Sequence, residues 1–386
     1  MTVAPETRDA VILSPRGLDA LIQELRDDGR TVLGPVVRDG VISHAQIGSA
    51  DEFPIGWTDV QDGGTYRLER RDDGAYFGFA VGPESWKQHL FPASVRLWHA
   101  HRTKAEDGTE SFEIEADAPE AQPTALFGVR SCDLHAIAVQ DRVLLEGDFA
   151  DADYALRRSD VFIVAVECGT PAATCFCASM NTGPHVSAGF DIALTELLDG
   201  EHRFLARAGS SAGEQILARL ETRPVEPKDG AAAASVTERA AAGMTRSMDT
   251  TDIKELLYRN LDNPRWDDVA ERCLTCANCT MVCPTCFCTS IEDSTDLSGA
   301  HAERHRQWDS CFSLEYSAMG GGSVRGSNKA RYRQWLTHKL ASWIDQFDSS
   351  GCVGCGRCIS WCPVAIDLTE EVAAIRESEE PNNAND

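Results

Sequence analysis

The sequence predicts a mixed α/β N-terminal domain followed by a C-terminal domain rich in helix and loop and built around cysteine. Three observations predict it. Short apolar runs alternate with helical periodicity over the first half, a Pro-, Gly- and Ala-containing stretch interrupts the chain past its middle, and eleven of the 15 cysteines fall between Cys273 and Cys362. The 386 residues suffice for two such domains, and 42% hydrophobic with 25% charged residues is an ordinary globular mixture. The expected spans are 1–222 for the α/β domain, 223–250 for a connector, 251–375 for the cysteine domain and 376–386 for an acidic tail. A formal net charge of −25 has the wrong sign for a partner whose main feature is a phosphate backbone. The longest purely apolar run, Val161 to Val166, is far short of the roughly 20 residues that span a bilayer. The first ten residues are polar and acidic, without a leader pattern, so the expectation is a cytoplasmic protein with no membrane span and no nucleic-acid partner.

Taken in order, Leu18, Leu21, Ile22 and Leu25 recur at helical spacing and Gly29 stands where a helix stops. Val32-Leu33, Ala125 to Val129 and Val161 to Val166 read as strands. A turn and a helical stretch, Leu134 to Leu145, follow the second of these, which makes a strand–loop–helix unit of an α/β sheet. From Arg223 to Asp249, Pro224, Pro227, Gly230 and the alanines at 231–234 suggest a flexible connector, the alanines also being compatible with an exposed helix. Asp252 to Tyr258 is helical in pattern and leads to the cysteines, and Glu377 to Asp386 is expected to fray.

Cys273, Cys276, Cys279 and Cys283 are spaced C-x2-C-x2-C-x3-C with Pro284 next, and Cys352, Cys355, Cys358 and Cys362 repeat the pattern before Pro363. This is the bacterial ferredoxin spacing for two [4Fe–4S] clusters. Three thiolates on one tight loop reach three corners of a cubane, and the chain carries the fourth away to the other cluster. Cys273, Cys276, Cys279 and Cys362 are therefore expected to share one cluster, and Cys352, Cys355, Cys358 and Cys283 the other. The fold expected is a ferredoxin-like dicluster domain, interrupted by a 68-residue insertion between Cys283 and Cys352 that must fold over or beside the clusters. Its aromatic residues Trp308, Phe312, Tyr316, Tyr332, Trp335 and Trp343 are candidate interface anchors or a cover for the clusters. Zinc fits two complete ferredoxin runs poorly, since it prefers two separated C-x2-C pairs.

Four cysteines stand earlier. Cys132 lies just past one predicted strand, Cys168 just past another, and Cys175 and Cys177 follow after a loop. If the two strands are parallel neighbours, these thiols meet where the carboxyl ends of strands form a crevice. A third [4Fe–4S] cluster, zinc and buried free thiols are all compatible with that placement. Cys286, Cys288 and Cys311 remain unassigned, with packing around the two clusters the simplest role. The Gly320–Gly326 stretch lacks the Lys-Ser/Thr ending of a phosphate loop and reads as a mobile loop. His301, Glu303 and His305 would line one helix face, where without a third ligand they read as a solvated surface. No dinucleotide fingerprint and no nucleophile–base constellation is found.

Several strings together carry a resemblance: Phe127-Gly-Val-Arg-Ser-Cys-Asp133, Glu167-Cys168 with Cys175-Phe-Cys177, the first cysteine run with its Cys283-Pro-Thr-Cys-Phe-Cys288 ending, Arg306-Gln-Trp-Asp-Ser-Cys311 and Cys352-Val-Gly-Cys-Gly-Arg-Cys358. From about residue 15 to 370 the chain resembles the beta subunits of cytoplasmic nickel–iron sulfhydrogenases, and it is nearly as similar to the electron-carrying iron–sulfur subunits of anaerobic sulfite reductases. The resemblance implies an electron carrier without its own catalytic residues. Such a carrier works beside a flavin-containing NAD(P)H reductase subunit, which holds FAD, and nickel–iron hydrogenase subunits. It also implies a cluster on Cys132, Cys168, Cys175 and Cys177. The alternatives are a place in a sulfite reductase complex or a self-contained iron–sulfur reductase.

Overall fold

The computed structural model describes residues 10–104, 107–117 and 122–379; the polar N-terminus and the last seven residues of the acidic tail lie outside these. The first helix, Pro15–Asp27, starts where the Ser14 side chain accepts from the Gly17 amide and Pro15 presets the first turn. It buries the predicted stripe of Leu18, Leu21, Ile22 and Leu25, and Gly29 follows at φ 81°.

Fourteen strands frame the sites: β1 (Val11–Leu13), β2 (Thr31–Arg38), β3 (Val41–Gln46), β4 (Trp57–Asp62), β5 (Thr65–Arg70), β6 (Ser94–Lys104), β7 (Glu110–Ala116), β8 (Thr124–Val129), β9 (Val161–Val166), β10 (Ile192–Leu197), β11 (Arg203–Ala208), β12 (Arg223–Pro224), β13 (Thr289–Thr295) and β14 (His301–Trp308). Eight form one sheet in the order β12-β1-β11-β10-β9-β8-β2-β3. Its centre, β2, β8, β9 and β10, is parallel, and the apolar runs of β8 and β9 are buried almost throughout, as strands covered on both faces must be. The helix Ser131–Leu144 follows β8 directly and completes the expected strand–loop–helix unit.

A second sheet, β13-β14-β6-β7, joins residues 94–116 to residues 289–308. The insertion between the two cysteine runs thus pairs with the N-terminal half, across the boundaries expected at 222 and 251. His301, Glu303 and His305 accordingly stand on a strand, not on a helix. There, pairing with β6 sets His301 Nδ1 2.6 Å from His101 Nδ1, while Glu303 takes Arg96 and His305. The connector also departs from the flexible expectation, because residues Pro227–Ala242 form a helix. Pro227 opens it, alanine favours it, and buried Asp229 anchors it through Arg203 (2.7 Å) and Arg223 (2.8 Å). The acidic tail is likewise helical as far as Glu379, in Leu368–Glu379. Gly320–Gly326 is an exposed turn region beside the two-residue strands Ala318–Met319 and Gly322–Ser323. No helix among the described residues is long and apolar enough to cross a membrane.

Candidate iron–sulfur sites

Both ferredoxin-spaced runs adopt the same local backbone. Each loop is followed by a four-residue helix, Asn278–Met281 in the first and Arg357–Ser360 in the second. Each loop takes a left-handed residue at the same two offsets, Thr275 and Ala277 against Gly354 and Gly356. The turns aim main-chain amides at sulfur: Thr275 N–H at Cys273 Sγ (3.4 Å) and Gly354 N–H at Cys352 Sγ (3.5 Å). Ile366 N–H reaches Cys362 Sγ at 3.3 Å. Such bonds stabilise thiolate rather than thiol.

The fourth cysteine of each run lies with the other run. Burial pushes the Cys279 thiol well above its ordinary range, and Cys311, Cys273, Cys362 and Cys276 push the same way. Cys273, Cys276, Cys279 and Cys362 line one cavity together with Tyr332, Trp335 and Cys358. Burial also raises Cys358 well above the ordinary range, and its next neighbours are Cys352, Cys355 and Cys283. Cys352 is pushed up to about 12, first by burial. Buried thiols that oppose one another's ionisation bind a cation cluster well, because the cluster's charge displaces their protons. Tyr332 Oη and Trp335 Nε1, both in the wall of the first cavity, have no hydrogen-bond partner among the described residues. Donors of this kind suit cluster sulfides, so the residues present fit the group.

The four early cysteines also converge, since β8 and β9 are parallel neighbours. Arg130, buried just past β8, donates to the carbonyls of Glu167, Phe77 and Phe79 at 2.9–3.0 Å and so ties the two strand ends together. Cys175 is raised well above its ordinary range by burial, then by Cys168, Cys177 and Cys355. Cys177 is pushed up to about 12 by burial, Cys168 and Cys355. Cys132 is raised by burial, with Asp133, Cys177 and Cys355 behind it. Cys355 of the second run therefore stands beside Cys132, Cys175 and Cys177 of this set.

That contact is built from backbone. Phe176 N–H donates to Gly354 O at 2.9 Å. A Cβ on Gly354 would sit 2.7 Å from the Cys177 backbone, and one on Gly356 would sit 2.4 Å from the Thr174 carbonyl oxygen. Glycine is needed here twice over, for the left-handed φ and for the approach. Beneath it, buried Arg357 pairs with buried Asp133 at 2.9 Å, tying the second run to the helix that carries Cys132. Removing one partner of such a pair costs about 3–5 kcal/mol.

Of the unassigned cysteines, Cys286 adjoins the second set at Cys283, whereas Cys311 stands beside Cys279 of the first. A hydrogen bond from Cys286 and then the Lys339 ammonium hold Cys283 well below its ordinary value, against the penalty of burial. Cys311 is pushed up to about 12 by burial, and Cys288 is its next neighbour. Of the six aromatics offered as interface anchors, Phe312, Tyr332, Trp335 and Trp343 are buried and Trp308 is half-buried. Phe312, Tyr332 and Trp335 face inward because the insertion closes over sulfur into a core shared with Leu256, Trp266 and Ile359; Tyr316 alone stays exposed. Arg130, Asp133 and Arg357 stand inside the strings that carry the resemblance but had no role assigned there, and Lys339 lies outside those strings. For Lys339 a signal existed, since Trp335, Lys339 and Trp343 follow at intervals of four on a helical stretch.

Residues 272–366 match the family described as "4Fe-4S dicluster domain". Over 255 residues, covering 65% of this chain and 74% of the relative, the sequence is 34% identical to Sulfhydrogenase 2 subunit beta of Pyrococcus furiosus. The chain belongs to the sulfhydrogenase beta-subunit family. Its iron–sulfur character and its electron-transfer chemistry follow from the dicluster domain that this family member carries. No solved structure matches the chain. Within this sulfhydrogenase beta-type subunit, the matched dicluster residues hold both ferredoxin-spaced runs, and Cys132, Cys168, Cys175 and Cys177 lie before them.

Proposed function

We propose that this chain is the electron-transfer subunit of an NAD(P)-linked nickel–iron hydrogenase complex and holds three [4Fe–4S] clusters. Cys273, Cys276, Cys279 and Cys362 hold the first, Cys352, Cys355, Cys358 and Cys283 the second, and Cys132, Cys168, Cys175 and Cys177 the third. Each cluster, when bound, takes up or gives one electron. A pyridine nucleotide delivers two, so a flavin-containing partner subunit splits the pair. The residues of this chain hold the three sets in sequence and keep water from the inner ones. The observation that carries the reading is their continuity. Cys358 lines the cavity of the first set, and Cys355 adjoins the N-terminal set. The first set opens outward through exposed Cys276, which suits exchange with a partner.

The test is anaerobic. Iron, sulfide and flavin analysis of the isolated chain is expected to give about 12 iron atoms, three cubanes' worth, and no flavin. The native complex is expected to reduce NAD(P) with hydrogen. Sulfite reduction with NAD(P)H and no hydrogenase activity would move the chain to a sulfite reductase complex. One observation favours a second reading, a self-contained reductase. A cavity of about 490 Å³, lined by Arg71, Glu167, Gly169, Thr170 and Arg239, opens where Glu167 and Gly169 flank Cys168. Stoichiometric flavin retained by the isolated chain would favour that reading.

A further inference from the structure

Lys339 lies in the insertion, on a π-helical turn, His338–Ser342, set between the helices Asn328–Thr337 and Trp343–Phe347. Such turns are rare and recur at functional positions. Here the turn delivers a lysine to the interior. The residue is 3% exposed, and its Nζ lies 3.2 Å from Cys283 Sγ, 3.8 Å from Cys286 Sγ, 3.3 Å from Thr285 Oγ1 and 3.0 Å from Gly351 O. The rings of Trp335 and Trp343 flank it at 5.9 and 5.8 Å. Among the described residues no carboxylate pairs with it. A buried ammonium without a carboxylate is costly, and sulfur and carbonyl oxygen are what compensate it here. A second buried lysine, Lys87, donates to the Cys286 carbonyl at 3.0 Å and adds positive charge on the same side. The first set differs, because no lysine or arginine among the described residues donates to any of its sulfurs.

We propose that Lys339 is a positioning residue for charge, one that makes the cluster on Cys352, Cys355, Cys358 and Cys283 easier to reduce than the cluster on the other run. The inference rests on the cluster assignment above. Reduction adds one negative charge to a cluster and its thiolates. A fixed cation in hydrogen-bond contact with a ligand sulfur stabilises that added charge, and burial keeps solvent and salt from screening it. Hydrogen bonds to sulfur act in the same direction. In the proposed series the second set lies between the outward-opening set and the N-terminal one. A raised potential there makes it, of the two ferredoxin-spaced sets, the one where an entering electron rests.

The experiment is potentiometric titration with electron paramagnetic resonance on the anaerobically purified full chain, comparing wild type with Lys339→Met and Lys339→Arg. Lys339→Met is expected to lower the midpoint of one cluster by at least about 59 mV, a tenfold change in the one-electron equilibrium. That signal is the one missing from Cys352→Ser, iron content stays at the wild-type level, and Lys339→Arg titrates close to wild type. An unchanged midpoint at full iron content overturns the proposal, because a merely structural lysine would leave the potential alone. If Lys339→Met loses iron, the wild type decides. The cluster missing from Cys352→Ser must then titrate above the one missing from Cys276→Ser, and the reverse order overturns the role. Absence of any cluster signal in the wild-type chain would instead refute the cluster assignment itself.

Discussion

The two cysteine runs share one spacing and one backbone, yet they lie in opposite surroundings. In the first, Leu274 is 60% exposed and Cys276 meets solvent. In the second, the equivalent Val353 is 3% exposed and Cys355 is buried. Both need a left-handed residue at the same two offsets. The first run meets that need with Thr275 and Ala277, both half-buried, Ala277 packing against the core that holds Phe312, Tyr332 and Trp335. The second uses Gly354 and Gly356, because the backbone at Thr174 and Cys177 occupies the space of a side chain. The comparison teaches that ligand spacing dictates how a loop turns. The residues between the ligands record what is packed against it.

The largest expected effect comes from crossing the runs. Cys362→Ser should abolish the same cluster signal as Cys276→Ser, and Cys283→Ser the same as Cys352→Ser. Loss of Cys362 instead together with Cys352 would mean that each run closes on its own cluster. Because the crossed clusters tie segments about 70 to 80 residues apart in the sequence, iron removal should also unfold the surrounding domain. Limited proteolysis of the chelated protein is expected to cut from about residue 250 onward, and resistance there would break the linkage.

Next in size, Cys168→Ser should remove about four of about 12 iron atoms and leave both dicluster signals in place. Iron content that does not change would reduce the N-terminal cysteines to packing. Smaller again is the effect at the contact between the sets. Gly356→Ala should cost about 3 kcal/mol, the sum of left-handed strain and overpacking against the Thr174 carbonyl. Ala277→Gly, the matching position of the first run, should shift stability by less than about 1 kcal/mol in denaturant titrations. Equal costs at the two positions would show that the contact does not distinguish the runs. The smallest effect is expected for Thr275→Gly. Relief of a β-branched residue at φ 52° against the entropy of glycine leaves a net stabilisation of under about 1 kcal/mol, readable as a small rise in Tm.

The sequence by itself determined the cysteine spacing, the strands β8 and β9, the helix after β8 and the buried stripe of the first helix. Each of these is a local pattern, set by ligand geometry or by the period of apolar residues. Tertiary structure alone decided the rest. The sheet that joins β6 to β14 pairs residues about 200 positions apart, and no periodicity within either strand announces its partner. The Ala-rich segment had two readings until Arg203 and Arg223 met Asp229. Whether the early cysteines could meet depended on β8 and β9 lying side by side, a neighbour relation that neither strand encodes alone. The buried charges Arg357 and Lys339 look like surface residues in composition, since a charge is usually solvated. Their burial follows only from what the fold sets against them, Asp133 in one case and the sulfur of Cys283 in the other. Ligand identity is local chemistry, whereas the electrostatic surroundings of the ligands are assembled from distant parts of the chain.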